Sequence, residues 1–248
     1  RYKLPHRNWT IISFKIRTTP SRDITPTNGF EIQPVEGYTL ITPFYLEAKG
    51  WNSSNLTYSF SFHDPIDNVE IRLSQSKTPL INSTLPTGSL PYFNLIMRLR
   101  VFDLGTGNFG FAEKIISVKP YFGEGLLTQR LSDVVEGGDY REMIAIASQV
   151  SVASQKEVKD YSDDLSWIVN KMVNYTKSTA VNQTDPVSIE QQMYVVDLIT
   201  RNRLVVSEES KRTSLDIVSL IIEKDNESTN PTITNNAVQN MANIISNV

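Results

Sequence analysis

The chain contains no cysteine among its 248 residues, which excludes disulfide bridges, thiolate metal sites and cysteine nucleophiles. A chain of this length can bury a sizeable core without disulfides, so the lack of cysteine does not by itself indicate a cytosolic protein. Histidine is also scarce, with His6 and His63 the two present. Neither has partners at a spacing typical of a triad or a metal site, and His63 is better explained as a surface histidine. We therefore predict no catalytic residue, no metal ligand and no cofactor.

Long apolar runs and a charge excess of one sign are missing as well. No apolar segment approaches the about 18 residues that a membrane span requires. The 24 basic and 27 acidic residues give a net charge of −3, and the basic ones form no stripe that could follow a phosphate backbone. We predict no nucleic-acid partner. The first residues, RYKLPHRNWT, contain no initiator methionine or signal peptide, so we expect a piece of a longer protein.

N-glycosylation sequons, by contrast, are frequent, and they predict the cellular compartment of the chain. An Asn- and Ser-rich chain makes some Asn-x-Ser/Thr sequences by chance. These sequons, however, fall in segments predicted as loops, strand ends or helix ends, where a glycan fits. We therefore predict an extracellular, N-glycosylated chain. The sequon asparagines are Asn8, Asn52, Asn55, Asn82, Asn174, Asn182 and Asn226.

The first half of the chain alternates apolar and polar residues between turn signals, as β-strands do. The predicted strands cover 10–17, 30–33, 38–46, 56–62 and 69–73, a long strand ending at Asp103, and 111–118. About seven short strands at this spacing predict an antiparallel β-sandwich of the immunoglobulin, fibronectin-III or PKD type. We assign it to residues 1–122, of which 1–24 are compatible with the end of a preceding β-domain.

The second half, residues 123–248, has a period near 3.6 and almost no proline or glycine, which predicts helices. Asp139, Asp185 with Pro186, Ser207, and Asn230 with Pro231 are the predicted N-caps. Each helix is apolar on one side, so we predict an all-α helical bundle and an α+β chain overall. Trp167 is expected in its core. The last stripe is expected to leave an apolar patch, and it consists of Ala237, Met241, Ile244, Ile245 and Val248.

An ordered series of residues resembles one known family. The series runs Pro34, Gly37, Leu40, Thr42-x-Phe44-x-Leu46, Gly50-Trp51 and Tyr58-x-Phe60, followed by Leu99, Val101, Asp103 and Gly105. It resembles the REJ (receptor for egg jelly) module of polycystin-type membrane proteins. Gly138-Asp139 and the helices after it resemble the helical region that follows this module, like the first half of a GAIN domain. The His-Leu-Ser/Thr cleavage tripeptide of that domain does not occur here.

The resemblance implies roles for five structural residues. The family's two cysteines correspond to Phe30 and Ala48, whose large and small side chains can fill the volume of a disulfide. We expect these two on neighbouring or facing strands with Cα atoms within about 7 Å. Trp51 is expected as a buried anchor, with sugar stacking as the alternative. Asp103 and Gly105 are expected in a hairpin turn, with a calcium loop at 103–108 as the alternative.

The family also implies a function. We expect a non-enzymatic extracellular region of a large REJ/polycystin-like cell-surface or ciliary membrane protein, serving adhesion, ligand contact or mechanical scaffolding. Its partners would be other extracellular domains of the same chain, neighbouring subunits, or an extracellular protein or glycan ligand. One alternative is a structural subunit of an extracellular filament or coat. The other is a carbohydrate-binding or carbohydrate-processing module, which requires paired carboxylates in a cleft or exposed aromatics on one sheet face.

Overall fold

A computed structural model of the chain describes residues 29–51, 55–64, 68–123, 125–155, 162–181, 183–201, 205–227 and 233–248. The strand predicted at 10–17 and the sequons at Asn8, Asn52 and Asn182 lie outside these residues. Within them, strands come first and helices second, which confirms the α+β order predicted from the sequence.

The strands are β1 (Phe30–Gln33), β2 (Glu36–Tyr38), β3 (Phe44–Ala48), β4 (Leu56–Asp64), β5 (Val69–Ser76), β6 (Leu80–Ser83), β7 (Asn94–Asp103) and β8 (Phe109–Lys119). They form a three-stranded sheet in the order β1-β3-β6 and a five-stranded sheet in the order β2-β8-β7-β4-β5. The helices are α1 (Leu126–Gly137), α2 (Tyr140–Gln155), α3 (Ser162–Ala180), α4 (Pro186–Thr200), α5 (Glu208–Glu227) and α6 (Asn235–Asn247).

The single strand predicted at 38–46 is wrong. The chain turns there, and Thr42 closes the turn by accepting a hydrogen bond from the Tyr38 N–H through its hydroxyl (2.9 Å). Leu40 adopts a left-handed conformation with φ of 66°, unusual for leucine, and its side chain is fully buried. The strands on either side of this turn therefore belong to different sheets. The short strand β6 was not predicted.

The pairing of β2 also differs from the prediction. Every other strand pair within the two sheets is antiparallel, whereas β2 runs parallel to β8, with Gly37 opposite Val118. The chain leaves the three-stranded sheet after β1 and enters the five-stranded sheet at β2. Pro34 lies at this crossing, directly after the last residue of β1.

The inner face of the five-stranded sheet is covered by two different structures. The Phe60 ring packs on Phe30 of the three-stranded sheet, with 6.0 Å between ring centroids. Two residues further along the same strand, Phe62 packs edge-on against Tyr194 of α4 at 5.6 Å. The short strands of the small sheet cover one part of this face, and helices cover the other. Sheets and helices therefore share one continuous core.

Helix α4 lies beside the edge strand β5 and satisfies part of its backbone. The fully buried carboxylate of Glu190 accepts a hydrogen bond from the Arg72 N–H (3.0 Å) and pairs with the Arg72 guanidinium (2.7 Å). The Gln191 side-chain amide donates to the carbonyl oxygens of Arg72 (2.8 Å) and Leu73 (3.1 Å). We call this set of contacts the edge clamp. An uncovered sheet edge presents unpaired N–H and C=O groups. The edge clamp gives some of these groups on β5 the partners that a further strand would otherwise provide.

Helix α6 completes the edge clamp from a second direction. The Thr234 hydroxyl accepts a hydrogen bond from the Ala237 N–H (3.2 Å), which caps α6, and it also donates to Glu190 (3.0 Å). The Asn236 amide donates to the Glu70 carbonyl oxygen (2.5 Å). Asn230, the predicted cap, lies outside the described residues, and the residue that caps this helix is Thr234.

The other predicted caps are confirmed where they can be compared. Asp185 accepts a hydrogen bond from the Ser188 N–H (2.8 Å), and Pro186 is the first residue of α4. Ser207 accepts from the Ser210 N–H (3.1 Å) at the start of α5. Asp139 accepts from the Arg141 N–H (2.9 Å) before α2. These side chains satisfy N–H groups that have no partner within their own helix.

The structure differs from two expectations about which helix residues are buried. Trp167 is 44% exposed instead of buried, with the Lys171 ammonium group 5.8 Å from its ring centroid. On α6, Met241 and Ile244 are buried within this chain, while Ile245 is 59% exposed. The predicted apolar patch is therefore narrower than expected. Among the described helices, none is long and apolar enough to cross a membrane.

We predict that Glu190→Gln destabilises the protein by about 2–4 kcal/mol. The change leaves the Arg72 guanidinium without its buried counter-ion and replaces a carboxylate oxygen by an amide N–H facing a donor. Urea unfolding followed by circular dichroism measures the effect. Glu208→Gln, on an exposed pair with Lys211, is the matched control and should unfold at the parent midpoint. Equal midpoints for both variants would contradict the role given to the edge clamp.

Candidate functional site

Phe30 and Ala48, which the resemblance aligns with the two REJ cysteines, are direct neighbours. Phe30 of β1 and Ala48 of β3 are register partners on adjacent antiparallel strands, as expected. The Lys49 N–H donates to the Gly29 carbonyl (3.1 Å), and the Ala48 N–H points the other way, to the Pro79 carbonyl (2.8 Å). Phe30 and Ala48 therefore form a non-hydrogen-bonded pair, in which Cα atoms lie about 4.5 Å apart. This separation is within the reach of a disulfide.

Trp51 is buried next to that pair. Its indole N–H donates a hydrogen bond to the Gly29 carbonyl oxygen (2.7 Å), and the side chain is 9% exposed. Trp51 thus fixes the end of the β3 segment to the residue before β1. The sugar-stacking alternative does not hold for Trp51, because its ring faces the core. Tyr58 is also buried and is not available for stacking on a sugar. Tyr92, in the loop before β7, is 74% exposed.

Asp103 and Gly105 form the hairpin turn between β7 and β8. The Asp103 carboxylate accepts hydrogen bonds from the N–H groups of Gly105 (2.8 Å) and Thr106 (3.3 Å). A Cβ at position 105 would lie 3.3 Å from that carboxylate oxygen, which favours glycine there. The calcium alternative requires several converging carboxylates. The described residues contain no group of three or more metal-ligating side chains.

His63, expected as a surface histidine, lies near the end of β4. It is half-buried, and its Nδ1 has no hydrogen-bond partner. The neighbouring Asp64 instead holds the end of β4 to helix α4, accepting from the Tyr194 hydroxyl (3.0 Å) and the Arg201 guanidinium (3.3 Å). Burial, together with the charge of Asp64, raises the pKa of Tyr194 well above its usual value. The hydroxyl therefore stays protonated as a donor.

Asp64, Tyr194 and Arg201 form an ionic network, which Arg201 also connects to helix α6 through Asp197. Arg201 pairs with the buried carboxylate of Asp197 (2.7 Å), which also accepts from Asn243 (3.2 Å). Burial lowers the pKa of Arg201, but the hydrogen bond to Asp197 and the charges of Asp197 and Asp64 together outweigh burial and raise the pKa overall. A cleft of about 630 Å³ opens beside Tyr194 and Arg201, between the sheet and helices α2 and α4. The charged groups that line it are already paired with one another, which indicates a structural role.

The outer face of the five-stranded sheet exposes aromatic side chains that the sequence analysis did not select. Opposite residues of β7 and β8 form the register pairs Phe102–Phe109, Arg100–Phe111, Arg98–Glu113 and Ile96–Ile115. We call this set the outer ladder. Phe109 is 55% exposed, Phe111 40% and Ile115 64%. The available signal was that apolar residues occupy both faces of β8, which a strand with one solvated face does not require.

Ion pairs accompany these aromatic residues. The Glu70 carboxylate on β5 forms ion pairs with Arg100 (2.5 Å) and Arg98 (3.2 Å). Arg98 also pairs with Glu113 (2.5 Å). The Arg98 guanidinium carbon lies 6.0 Å from the centroid of Phe111. Burial raises the pKa of Glu70, but hydrogen bonds from Arg100, Ser61 and Arg98, together with the charge of Arg100, outweigh burial and lower the pKa overall. The face therefore presents aromatic surface beside fixed charges of both signs.

The four sequon asparagines within the described residues are all exposed: Asn55, Asn82, Asn174 and Asn226. Asn55 directly precedes β4, Asn82 lies in β6, and Asn226 lies in the last turn of α5. Asn174 lies within α3, which continues to Ala180, so the expectation that every sequon falls in a loop or at an element end is wrong there.

Comparisons with known proteins provide no family for the chain. No protein-family model matches it, and the searches of curated proteins and of solved structures found no match.

We predict that the double variant Phe30→Cys, Ala48→Cys forms a disulfide under mild oxidation. The reduced form loses the buried Phe30 ring and should be destabilised by about 3–5 kcal/mol. Oxidation closes a loop of about 18 residues and should return roughly 3 kcal/mol. Intact mass and urea unfolding, with and without reductant, measure both steps. The Phe30→Ser, Ala48→Ser variant is the control, and an equal response to reductant in both would contradict the assigned register.

Proposed function

We propose that this chain is a non-enzymatic, N-glycosylated extracellular region of a REJ/polycystin-like cell-surface protein, where it serves contact and mechanical scaffolding. The observation that carries the proposal is the Phe30–Ala48 pair. Two positions chosen because cysteines occupy them in the family are register partners on adjacent strands. A wrong alignment of the family pattern would have no reason to place a large and a small residue at disulfide distance.

The strand arrangement supports the finer assignment of the β-region. Strand β1 pairs antiparallel with β3 in one sheet, and β2, which follows it, pairs parallel with β8 in the other. The inner faces of the two sheets meet through Phe30 and Phe60. This arrangement is compatible with an immunoglobulin-like sandwich, which we propose for residues up to 122. We propose a helical bundle for residues 123–248, organised around α4, whose residues from Ile189 to Thr200 are all buried.

A scaffolding role is supported by how firmly the five-stranded sheet is attached to the helices. The edge clamp holds Arg72 and Leu73 to α4, and the ionic network holds Asp64 to Tyr194 and Arg201. Buried pairs of this kind are costly to separate, because each partner would be left charged or polar without compensation. A pull applied to the five-stranded sheet is therefore carried directly into α4 and α6. From the resemblance to the family, we propose that the chain lies on the extracellular side of the cell surface, with the ciliary membrane as one candidate location.

We predict N-glycans on at least three of the seven sequon asparagines in protein from a native or secretory eukaryotic source. The exposure of Asn55, Asn82, Asn174 and Asn226 leaves room for a glycan on the folded chain. Intact glycopeptide mass spectrometry reads occupancy at each position. Protein made in a bacterial cytoplasm is the unmodified reference. Unmodified asparagines throughout the secreted protein would overturn the extracellular proposal.

The outer ladder favours carbohydrate binding as a second candidate function. A carbohydrate-binding sheet requires exposed aromatic rings on one face, and Phe102, Phe109 and Phe111 provide such rings. The C–H groups of a sugar ring pack on the negative face of an aromatic ring. Arg98, Arg100 and Glu113 beside the rings supply donors and acceptors for hydroxyl groups.

For this candidate, Phe109→Ser with Phe111→Ser should weaken oligosaccharide binding by about tenfold or more, the effect of losing roughly 1.4 kcal/mol of stacking. A glycan array followed by calorimetry on the best ligand measures the change. Tyr92→Ser, which removes an exposed ring outside the outer ladder, should bind like the parent. No binding by the parent protein, or an equal loss in Tyr92→Ser, would eliminate carbohydrate recognition by this face.

A further inference from the structure

One sequon lies directly opposite an exposed aromatic residue. Asn82 of β6 and Tyr45 of β3 are register partners on antiparallel strands, so their side chains lie on the same face of the three-stranded sheet. Because the Ala48 N–H bonds to the Pro79 carbonyl, alternation along the ladder makes Tyr45–Asn82 a non-hydrogen-bonded pair. Side chains approach most closely in pairs of this kind, with Cβ atoms about 4.5–5.5 Å apart.

The surroundings of this pair are open. None of the described helices packs extensively on the three-stranded sheet, and β6 is one of its two edge strands. Tyr45 is 49% exposed and Leu80, two residues before Asn82 on the same face, is 46% exposed. The face therefore leaves an aromatic ring and an aliphatic side chain in water beside the sequon asparagine.

We propose that the first N-acetylglucosamine attached to Asn82 packs against the ring of Tyr45, so that the glycan becomes part of the outer face of this sheet. The inference rests on the N-glycosylation in the proposed function. The sugar arrives from a lipid-linked oligosaccharide pyrophosphate. A bond forms between Asn82 Nδ2 and the anomeric carbon, while the lipid pyrophosphate leaves and the amide loses one proton.

The chemistry of the two groups explains the contact. The glycosylated amide carries the sugar away from the sheet, and the tyrosine side chain is long enough to follow it. The C–H face of the sugar carries partial positive charge and matches the negative face of the Tyr45 ring. The contact removes apolar surface of both groups from water. It also places a bulky hydrophilic group over an edge strand that could otherwise pair with another chain.

The test compares Thr84→Ala with the parent, both secreted from a eukaryotic host and trimmed to one sugar per site by an endoglycosidase. Thr84→Ala removes the sequon but leaves Asn82 and Tyr45 in place. We expect the parent to melt about 2–4 °C higher, the shift that one added contact produces in a chain of this length. The same difference should persist in a Tyr45→Phe background and disappear in a Tyr45→Thr background. Upfield-shifted sugar proton resonances should likewise depend on the ring.

The outcomes separate this inference from the proposed function. Glycopeptide mapping is done on the same samples, and Asn174→Gln, whose sequon lies on a helix, should melt like the parent. An occupied Asn82 with an equal shift in the Tyr45→Thr background overturns the contact and leaves the proposed function standing. Glycans on other sequons but not on Asn82 have the same consequence. Unmodified asparagines at every sequon overturn both.

Discussion

The free edge of strand β5 is the constraint on which the rest of this structure depends. A five-stranded sheet that ended at β5 would leave backbone N–H and C=O groups without partners. Glu190 and Gln191 satisfy these groups from one turn of α4, and Thr234 and Asn236 add contacts from α6. Because α4 is buried along nearly its whole length, this attachment fixes the helix that α2 and α6 pack on. The arrangement of the helices follows from the way the sheet edge is closed.

Local signals in the sequence were sufficient for a large part of the fold. The N-caps Asp139, Asp185 and Ser207 act within three residues of the groups they satisfy, and the Asp103 turn is equally local. The edge clamp could not be predicted in this way. Glu190 and Gln191 are polar residues in a helix and would ordinarily be assigned to its solvated face, and their partners lie 118–119 residues earlier. Only the tertiary structure shows that this face of α4 meets a sheet edge.

Some residues lie where the sequence pattern did not indicate, for two physical reasons. Leu40 is a buried leucine in a left-handed turn, a conformation that the alternating pattern around it does not indicate. Trp167 and the phenylalanines of the outer ladder are large apolar residues, which burial statistics place inside a protein. Here they lie on faces that the described chain leaves open. Periodicity identifies the two faces of an element, but when both faces carry apolar residues it does not identify the one that contacts the core.

The lack of cysteine can now be explained by what holds β1 to β3. A cystine at 30 and 48 would constrain the unfolded chain by roughly 3 kcal/mol, and burying the Phe30 ring returns about the same amount. Phe30 does more than fill that volume, because its ring reaches across to Phe60 of the opposite sheet, which a cystine could not do. The Trp51–Gly29 hydrogen bond closes nearly the same loop without a covalent bond. Hence the small sheet is held by contacts that also build the core, and its register does not depend on the redox state of its surroundings.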